Sequence, residues 1–147
     1  GTNRSIDFIT QARCSCYIMY CFDTSIIVAL LRGDGALKQR ISAVAGEDLS
    51  FTWITLCELY KGVYLSSNVE QKLQDVWGLL PSFSILDFSQ EVCTIYGKEY
   101  VYLESIGKMT EEMDLLIAAI AKAHGATLVT RNKKHFEHIR GLKVEEW

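Results

Sequence analysis

Proline, histidine and long apolar runs are scarce in this sequence, and these shortages exclude whole classes of protein. One proline among 147 residues, 49% of them hydrophobic, is typical of a globular chain and not of a disordered one. No apolar run approaches the ~18 residues that a membrane-spanning helix needs. The apolar stretch 14–22 lacks the small-residue cleavage pattern of a signal peptide, so we interpret it as a buried strand.

The sequence marks of nucleophile, nucleotide and zinc chemistry are also missing. There is no Gly-x-Ser-x-Gly elbow and no phosphate-binding glycine loop. The three histidines are badly spaced for a metal site, and Cys14-x-Cys16 has no second pair at zinc-finger spacing. The five cysteines are an odd number, and Cys21, Cys57 and Cys93 lie in apolar surroundings. We therefore expect these three to be small buried side chains, and we expect the protein to occupy a reducing cytoplasm.

Apolar strand-like segments alternate with helical patterns over a length suited to one domain. This order predicts an α/β fold, with three layers (α/β/α) and a central, mostly parallel sheet. We expect strands at 17–23, 49–53, 83–88, 126–130 and 142–146. We expect helices at 24–32, 34–45, 55–65, 68–80, 111–124 and 133–139, and a long one from Ser89 to a loop near Gly107. Thr110 is the predicted N-cap of the 111–124 helix, and Gly125 its stop.

Three carboxylates stand at the ends of apolar segments: Asp23, Glu58 and Asp114. In an open α/β sheet, the ligand crevice lies outside the carboxyl ends of the strands, where such acids would converge. Converging carboxylates repel one another, and a hard divalent cation relieves that repulsion. An all-oxygen set favours Mg²⁺ or Mn²⁺ over zinc. The residues therefore predict a metal-dependent hydrolase acting on phosphodiesters, in which the metal activates a water.

Each acid also has a purely structural interpretation. Asp23 is a good helix N-cap, and Thr55-x-x-Glu58 has the pattern of a capping box. Asp114 could serve the dipole of its helix, although Glu111 and Glu112 already stand there. These alternatives stay open for Asp23 and Glu58, whereas Asp114 is the strongest candidate for a metal ligand.

Polar and basic residues follow the strand predicted at 126–130. Asn132 can offer an amide oxygen to a metal or its water, or can be a turn residue. The segment 122–143 holds six basic residues against one acid, a net charge of +5, in a chain whose total is −3. Such a segment is either a solvated face or a phosphate-contacting surface, to which Lys133 and Lys134 would belong.

Residues 1–18 fit the pattern least well. They precede Met19, where a compact domain of this type could begin. We divide the chain into an N-terminal extension, 1–18, and a nuclease domain, 19–147. The extension is either a genuine arm or an upstream-translated or vector-derived segment.

The sequence resembles the PIN domain, and more narrowly the VapC-type toxins of prokaryotic toxin–antitoxin pairs. Four segments carry the likeness in the family's order: Phe22-Asp23-Thr24-Ser25, Ile54 to Gly62, Asp114 to Ala119, and Leu128-Val129-Thr130-Arg131-Asn132. The end of the chain, from His135 to Trp147, resembles the family's ending, so the likeness spans 19–147.

The resemblance implies a Mg²⁺- or Mn²⁺-dependent endoribonuclease. Asp23, Glu58 and Asp114 would be its catalytic and metal-binding acids, with Asn132 at a fourth position that is often Asp. Thr24, Ser25, Thr130, Arg131, Lys133 and Lys134 would contact substrate phosphates.

The same resemblance implies a cytoplasmic homodimer inhibited by a VapB-type antitoxin, which we expect to contact the apolar surface of the 55–65 and 68–80 helices. Two other hypotheses compete with this one. The domain could be an inactive PIN-like module that binds RNA or protein, or a DNA nuclease with the same carboxylates.

Overall fold

A computed structural model describes residues 17–147 and contains one sheet with five parallel strands in that range. The strand order is β3-β2-β1-β4-β5, so the first strand of the chain lies at the centre. The strands are β1 (Met19–Phe22), β2 (Asp48–Thr52), β3 (Ser84–Leu86), β4 (Thr127–Thr130) and β5 (Lys143–Glu146). The helices are α1 (Thr24–Leu31), α2 (Gly35–Ala43), α3 (Trp53–Leu65), α4 (Val69–Leu79), α5 (Gln90–Ser105) and α6 (Glu112–Ala123).

Both faces of the sheet are covered, which confirms the predicted three-layer α/β/α fold. Successive side chains of a strand point to opposite faces. On β1, Tyr20 and Phe22 therefore join a core with α1 to α4, whereas Cys21 joins a second core with α5 and α6. The central strands β1 and β4 are largely apolar because both of their faces are buried. Within 17–147, no helix is both long and apolar enough to cross a membrane.

Two predicted helix caps are wrong. Thr52, the last residue of β2, is the N-cap of α3, and its hydroxyl accepts from the Thr55 backbone N–H at 3.2 Å. Thr55 is therefore inside the helix, and the predicted capping box with Glu58 does not form. α6 begins at Glu112 with Glu111 at the N-cap position, and Thr110 does not cap it. Gly125 does follow α6 as predicted, with a φ of 66° that only glycine adopts readily.

The helix predicted at 133–139 is also wrong. A single 3₁₀ turn, Lys133–His135, stands there, and Ile139 N–H bonds to the carbonyl of Phe136 and not to a residue four back. Phe136 and Ile139 are buried in the core beneath α6, so burial of these two side chains shapes the segment. The other predicted elements exist, with ends that differ by a few residues.

The cysteine prediction holds for one residue of three. Cys21, Cys57 and Cys93 are free thiols, but only Cys21 is buried, whereas Cys57 and Cys93 are exposed on α3 and α5. The buried apolar residues near them, Leu56, Leu59 and Val92, are only one or two positions away and therefore lie on a different face of each helix. Cys14, Cys16 and nearly all of the predicted extension 1–18 lie outside the described residues, so that extension stays a prediction.

The basic segment 122–143 does not form one continuous surface. Lys122 Nζ lies 3.4 Å from Glu99 Oε1 and Arg140 Nε lies 3.1 Å from the same oxygen. The side chain of Glu99 is only 3% exposed, and it also accepts from the Arg140 backbone N–H at 3.2 Å. These two cations therefore stabilise a buried acid, which leaves the basic residues nearer β4 for any ligand.

Candidate active site

Asp23 follows β1 and is buried at the carboxyl edge of the sheet, with 4% of its surface exposed. Its Oδ1 accepts from the Thr24 backbone N–H at 2.7 Å, which makes Asp23 the N-cap of α1. Its Oδ2 accepts from the hydroxyls of Thr130 at 2.8 Å and Ser25 at 3.0 Å. Asp23 is thus both a structural cap and a fixed acid of the site, as both sequence interpretations allowed.

Thr24 connects Glu58 to the turn that holds Asp23. The Thr24 hydroxyl donates to Glu58 Oε1 at 2.7 Å, and it lies 3.0 Å from the hydroxyl of Thr55. Glu58 is half-buried on the second turn of α3, and its carboxylate faces the start of α1. Glu58 therefore does not form a capping box, and its side chain points toward the strand ends instead.

Asp114 lies in the first turn of α6, and its side chain is 16% exposed. Burial, together with the neighbouring charge of Asp23, raises the pKa of Asp114 to about 6. His135 Nδ1 lies 3.0 Å from Asp114 Oδ2 and opposes that rise. The two aspartates are therefore close enough to repel each other, which is the convergence that the strand-end argument predicted.

The segment after β4 completes this edge. The Thr130 hydroxyl accepts from the Asn132 backbone N–H at 3.0 Å, and Ser25 Oγ accepts from the Arg131 backbone N–H at 3.1 Å. Asn132 is exposed, and within 17–147 its side-chain amide makes no hydrogen bond. Lys133 and Lys134 are exposed in the turn that follows. The sequence-derived residues thus share one edge, but Asn132 is tied to it only through its backbone.

The donor chemistry of this edge fits a hard cation. In the described part of the chain, no group of three or more His, Cys, Asp or Glu side chains is arranged as a ready-made metal cage. Mg²⁺ needs no such cage, because it keeps several waters and is usually held by one or two carboxylates. The mutually repelling Asp23 and Asp114, with a raised pKa on Asp114, provide the oxygen pair that a cation would stabilise.

His135 is the site residue that sequence reasoning missed. The spacing of the three histidines in the sequence indicates no metal cluster, whereas His135 contacts a carboxylate 21 residues earlier. Its position five residues after the end of β4, a strand end near the other acids, was the available signal. His124 ends α6 and His138 is exposed beside Glu137, so neither belongs to this edge.

Residues 20–142 match the sequence model of the PIN domain family. A protein named ribonuclease VapC1, from Haemophilus influenzae (strain R2866), is 32% identical over 132 residues, covering 88% of this chain and 98% of that protein. Ribonuclease VapC2 of Rickettsia felis is 34% identical with the same coverage. A Shigella flexneri protein named tRNA(fMet)-specific endonuclease VapC is 27% identical over 131 residues.

Solved structures give the same result. The structure of VapBC2 from Rickettsia felis bound to a promoter DNA fragment contains a chain with a TM-score of 0.85 and 32% identity, covering 88% of this chain and 99% of that one. VapBC-1 from nontypeable Haemophilus influenzae gives a TM-score of 0.82 at 31% identity, over 88% and 98% of the two chains. This chain therefore shares its fold with these two solved chains over nearly their whole length.

Proposed function

The chain belongs to the PIN domain family, and we propose that it is a metal-dependent endoribonuclease, the toxin of a VapBC toxin–antitoxin pair. Relatives that it matches over nearly their whole length are named ribonucleases, and its structural neighbours come from VapBC complexes. The observation that carries the proposal is the Asp23–Asp114 pair at the carboxyl edge of the sheet, where burial and repulsion raise the pKa of Asp114.

Asp23, Glu58 and Asp114 would hold Mg²⁺ or Mn²⁺, directly or through water. When bound, such a cation would stabilise negative charge on the phosphodiester as a Lewis acid. It would also lower the pKa of the attacking water, so that the water can act as a nucleophile at neutral pH. The chain itself fixes the acids: Thr130, Ser25 and the Thr24 N–H orient both oxygens of Asp23, and the Thr24 hydroxyl orients Glu58.

The remaining residues of the edge would position the RNA. Arg131, Lys133 and Lys134 are exposed cations suited to phosphate, and Thr24 and Ser25 offer hydroxyls. Asn132 would add an amide oxygen near the acids. Retention of all three acids argues against an inactive binding module, and the names of the relatives favour RNA over DNA as the substrate.

An apolar groove of about 240 Å³ suits the antitoxin. It lies between α1, α3 and α4, is lined by Leu31, Leu59, Val63 and Val76, and reaches Glu58 at one end. A partner segment in this groove would end beside the acids and would block RNA. The groove coincides with the helices that the sequence assigned to antitoxin contact. A homodimer in a reducing cytoplasm completes the proposal.

The test is cleavage of total cellular RNA by purified protein, with Mg²⁺ or with EDTA, beside Asp114→Asn and Glu104→Gln. Glu104 is an exposed acid on α5, which makes it a matched loss of charge away from the site. We expect Mg²⁺-dependent fragments from the wild type and Glu104→Gln but not from Asp114→Asn. Equal cleavage by Asp114→Asn, or cleavage that persists in EDTA, would contradict the proposal.

A further inference from the structure

A cleft of about 580 Å³ opens beside the turn that carries Asp23, between α1, the start of α2 and the segment after β4. Two arginines line it, Arg32 and Arg131, together with Ser25 and Asp34. Sequence reasoning singled out Arg131 and Ser25 but gave no role to Arg32 or Asp34. Since Ser25 Oγ bonds both to Asp23 Oδ2, at 3.0 Å, and to the Arg131 N–H, at 3.1 Å, one side chain separates the cleft from the acids.

Arg131 is held in this cleft at both of its ends. Its backbone is fixed by Ser25, and its guanidinium Nη2 donates to Asp34 Oδ2. A guanidinium has five N–H donors in a rigid fork. Within 17–147 the bond to Asp34 is the one side-chain hydrogen bond of Arg131, and the side chain is 40% exposed. Its orientation is therefore set while most of its donors stay available to a ligand.

Asp34 is already satisfied by other groups and does not neutralise the whole cleft. Its Oδ1 accepts from the Leu37 N–H at 3.0 Å as the N-cap of α2. That bond and the Arg131 contact hold the pKa of Asp34 below its ordinary value, so Asp34 is ionised at neutral pH. Arg32 is exposed and makes no ion pair within the described residues. One positive charge therefore remains in excess beside the acids.

We propose that Arg32 and Arg131 bind a phosphate of the RNA strand next to the scissile one, and that Asp34 is the positioning residue that holds Arg131 for this contact. The proposal deepens the ribonuclease function proposed above and rests on it. Arginine forks match phosphate oxygens in pairs, and phosphate contacts fix the register of a strand without reading its sequence. Because Ser25 connects the cleft to Asp23, a phosphate bound in the cleft would determine which phosphodiester linkage of the RNA lies over Asp23.

Binding is measured in EDTA, without cleavage, by the fluorescence anisotropy of a short labelled single-stranded RNA. We expect Arg32→Gln and Arg131→Gln each to weaken binding about tenfold, the effect of one lost charge-assisted contact. Because both arginines contact the same phosphate, the double variant should reduce the slope of log affinity against log salt by about 0.7, the value for one phosphate on a single strand. Lys38→Gln, on the exposed face of α2 outside the cleft, is the matched control and should change neither quantity.

The role of Asp34 is tested with a double-mutant cycle. Asn is as good an N-cap as Asp, so Asp34→Asn retains the start of α2 while it removes the ion pair with Arg131. We expect it to weaken RNA binding about threefold when Arg131 is present. In the Arg131→Gln background the same change should not weaken binding, because only the repulsion between Asp34 and phosphate is then lost. Weakening in neither background would overturn the positioning role.

Cleavage with Mg²⁺ separates the cleft from the activity. Arg32→Gln and Arg131→Gln should raise KM with kcat nearly unchanged, because the contact is the same in ground and transition states. If Arg32→Gln and Arg131→Gln had the same KM and salt slope as Lys38→Gln, the phosphate-binding role of the cleft would be overturned, whereas the proposed ribonuclease activity would not be affected. RNA binding that depends on both arginines, with no cleavage by the wild type, would retain the cleft and overturn the ribonuclease.

Discussion

Replacing Asp114 by asparagine should stabilise the metal-free protein at neutral pH while it abolishes the proposed metal site. In the wild type, burial and the charge of Asp23 raise the pKa of Asp114 from 3.8 to about 6. A difference of about 2 units, at 1.36 kcal/mol each, corresponds to about 3 kcal/mol against the ionised folded state. The Asp114 side chain is 16% exposed, so solvent screening reduces this value only modestly. Asparagine keeps the shape and carries no charge.

The sign of the pH dependence follows from the direction of the shift. Because the folded protein holds the Asp114 proton more tightly than the unfolded chain, stability from this group is present at low pH and is lost as pH rises toward 6. Urea unfolding in EDTA should therefore show Asp114→Asn equal to the wild type near about pH 3 and more stable, by up to about 3 kcal/mol, near about pH 8. The unfolding free energy of Glu104→Gln should equal that of the wild type at both pH values.

Magnesium should reduce this difference in stability between Asp114→Asn and the wild type. Ligand that binds only the folded state stabilises it, so Mg²⁺ should raise the unfolding free energy of the wild type but not that of Asp114→Asn. If the wild type and Asp114→Asn lost equal stability on raising the pH, the repulsion between Asp23 and Asp114 would be absent and the reasoning would be refuted. Equal stabilisation of both proteins by Mg²⁺ would show that the cation binds elsewhere.

Three further changes test other parts of the fold. Thr130→Val removes the buried hydroxyl that donates to Asp23, at almost constant side-chain volume. It should lower the unfolding free energy by about 1–3 kcal/mol in urea and should reduce RNA cleavage. Unchanged stability and cleavage would contradict the orienting role of Thr130. Trp147→Ala removes a ring that lies 5.4 Å from those of Tyr20 and Phe22, and should cost about 3 kcal/mol in the same assay, whereas a change below experimental error would mean that the contact contributes nothing. Glu99→Gln should cost about 2 kcal/mol by leaving Lys122 and Arg140 without their buried acid, and a neutral effect would refute that network.

The sheet and its layers were predictable because the central strands β1 and β4 are largely apolar and buried on both faces. Met19–Phe22 and Thr127–Thr130 could be recognised from their residues, although a pattern gives no information on which strands pair. The ends of the strands and helices were harder to predict. Thr52 and Thr55 are both suitable caps, and the observed choice of Thr52 depends on where β2 stops pairing with its neighbours. Local pattern alone does not contain that information.

For the candidate site, the positions of the acids were predictable from the sequence, but the side chains that contact them were not. Asp23, Glu58 and Asp114 follow from strand ends and helix starts, which are local features. The contacts of Asp114 with His135, Arg131 with Asp34, and Glu99 with Arg140 join residues 21, 97 and 41 positions apart. Such pairs depend on the packing of whole elements. The Arg32–Arg131 cleft arises in the same way and has no mark in the sequence.

The central position of β1 determines when the site can exist during synthesis. β1 pairs with β4, and the Asp23–Thr130 bond joins residues 107 positions apart. Such a contact forms only after a long loop has closed, and parallel pairings of this separation are slow. A growing chain that has reached α5 carries Asp23 and Glu58 but has neither Asp114 nor β4. The acids of this nuclease can therefore be ordered only after β4 has been synthesised, which delays any cleavage of the RNA around the ribosome.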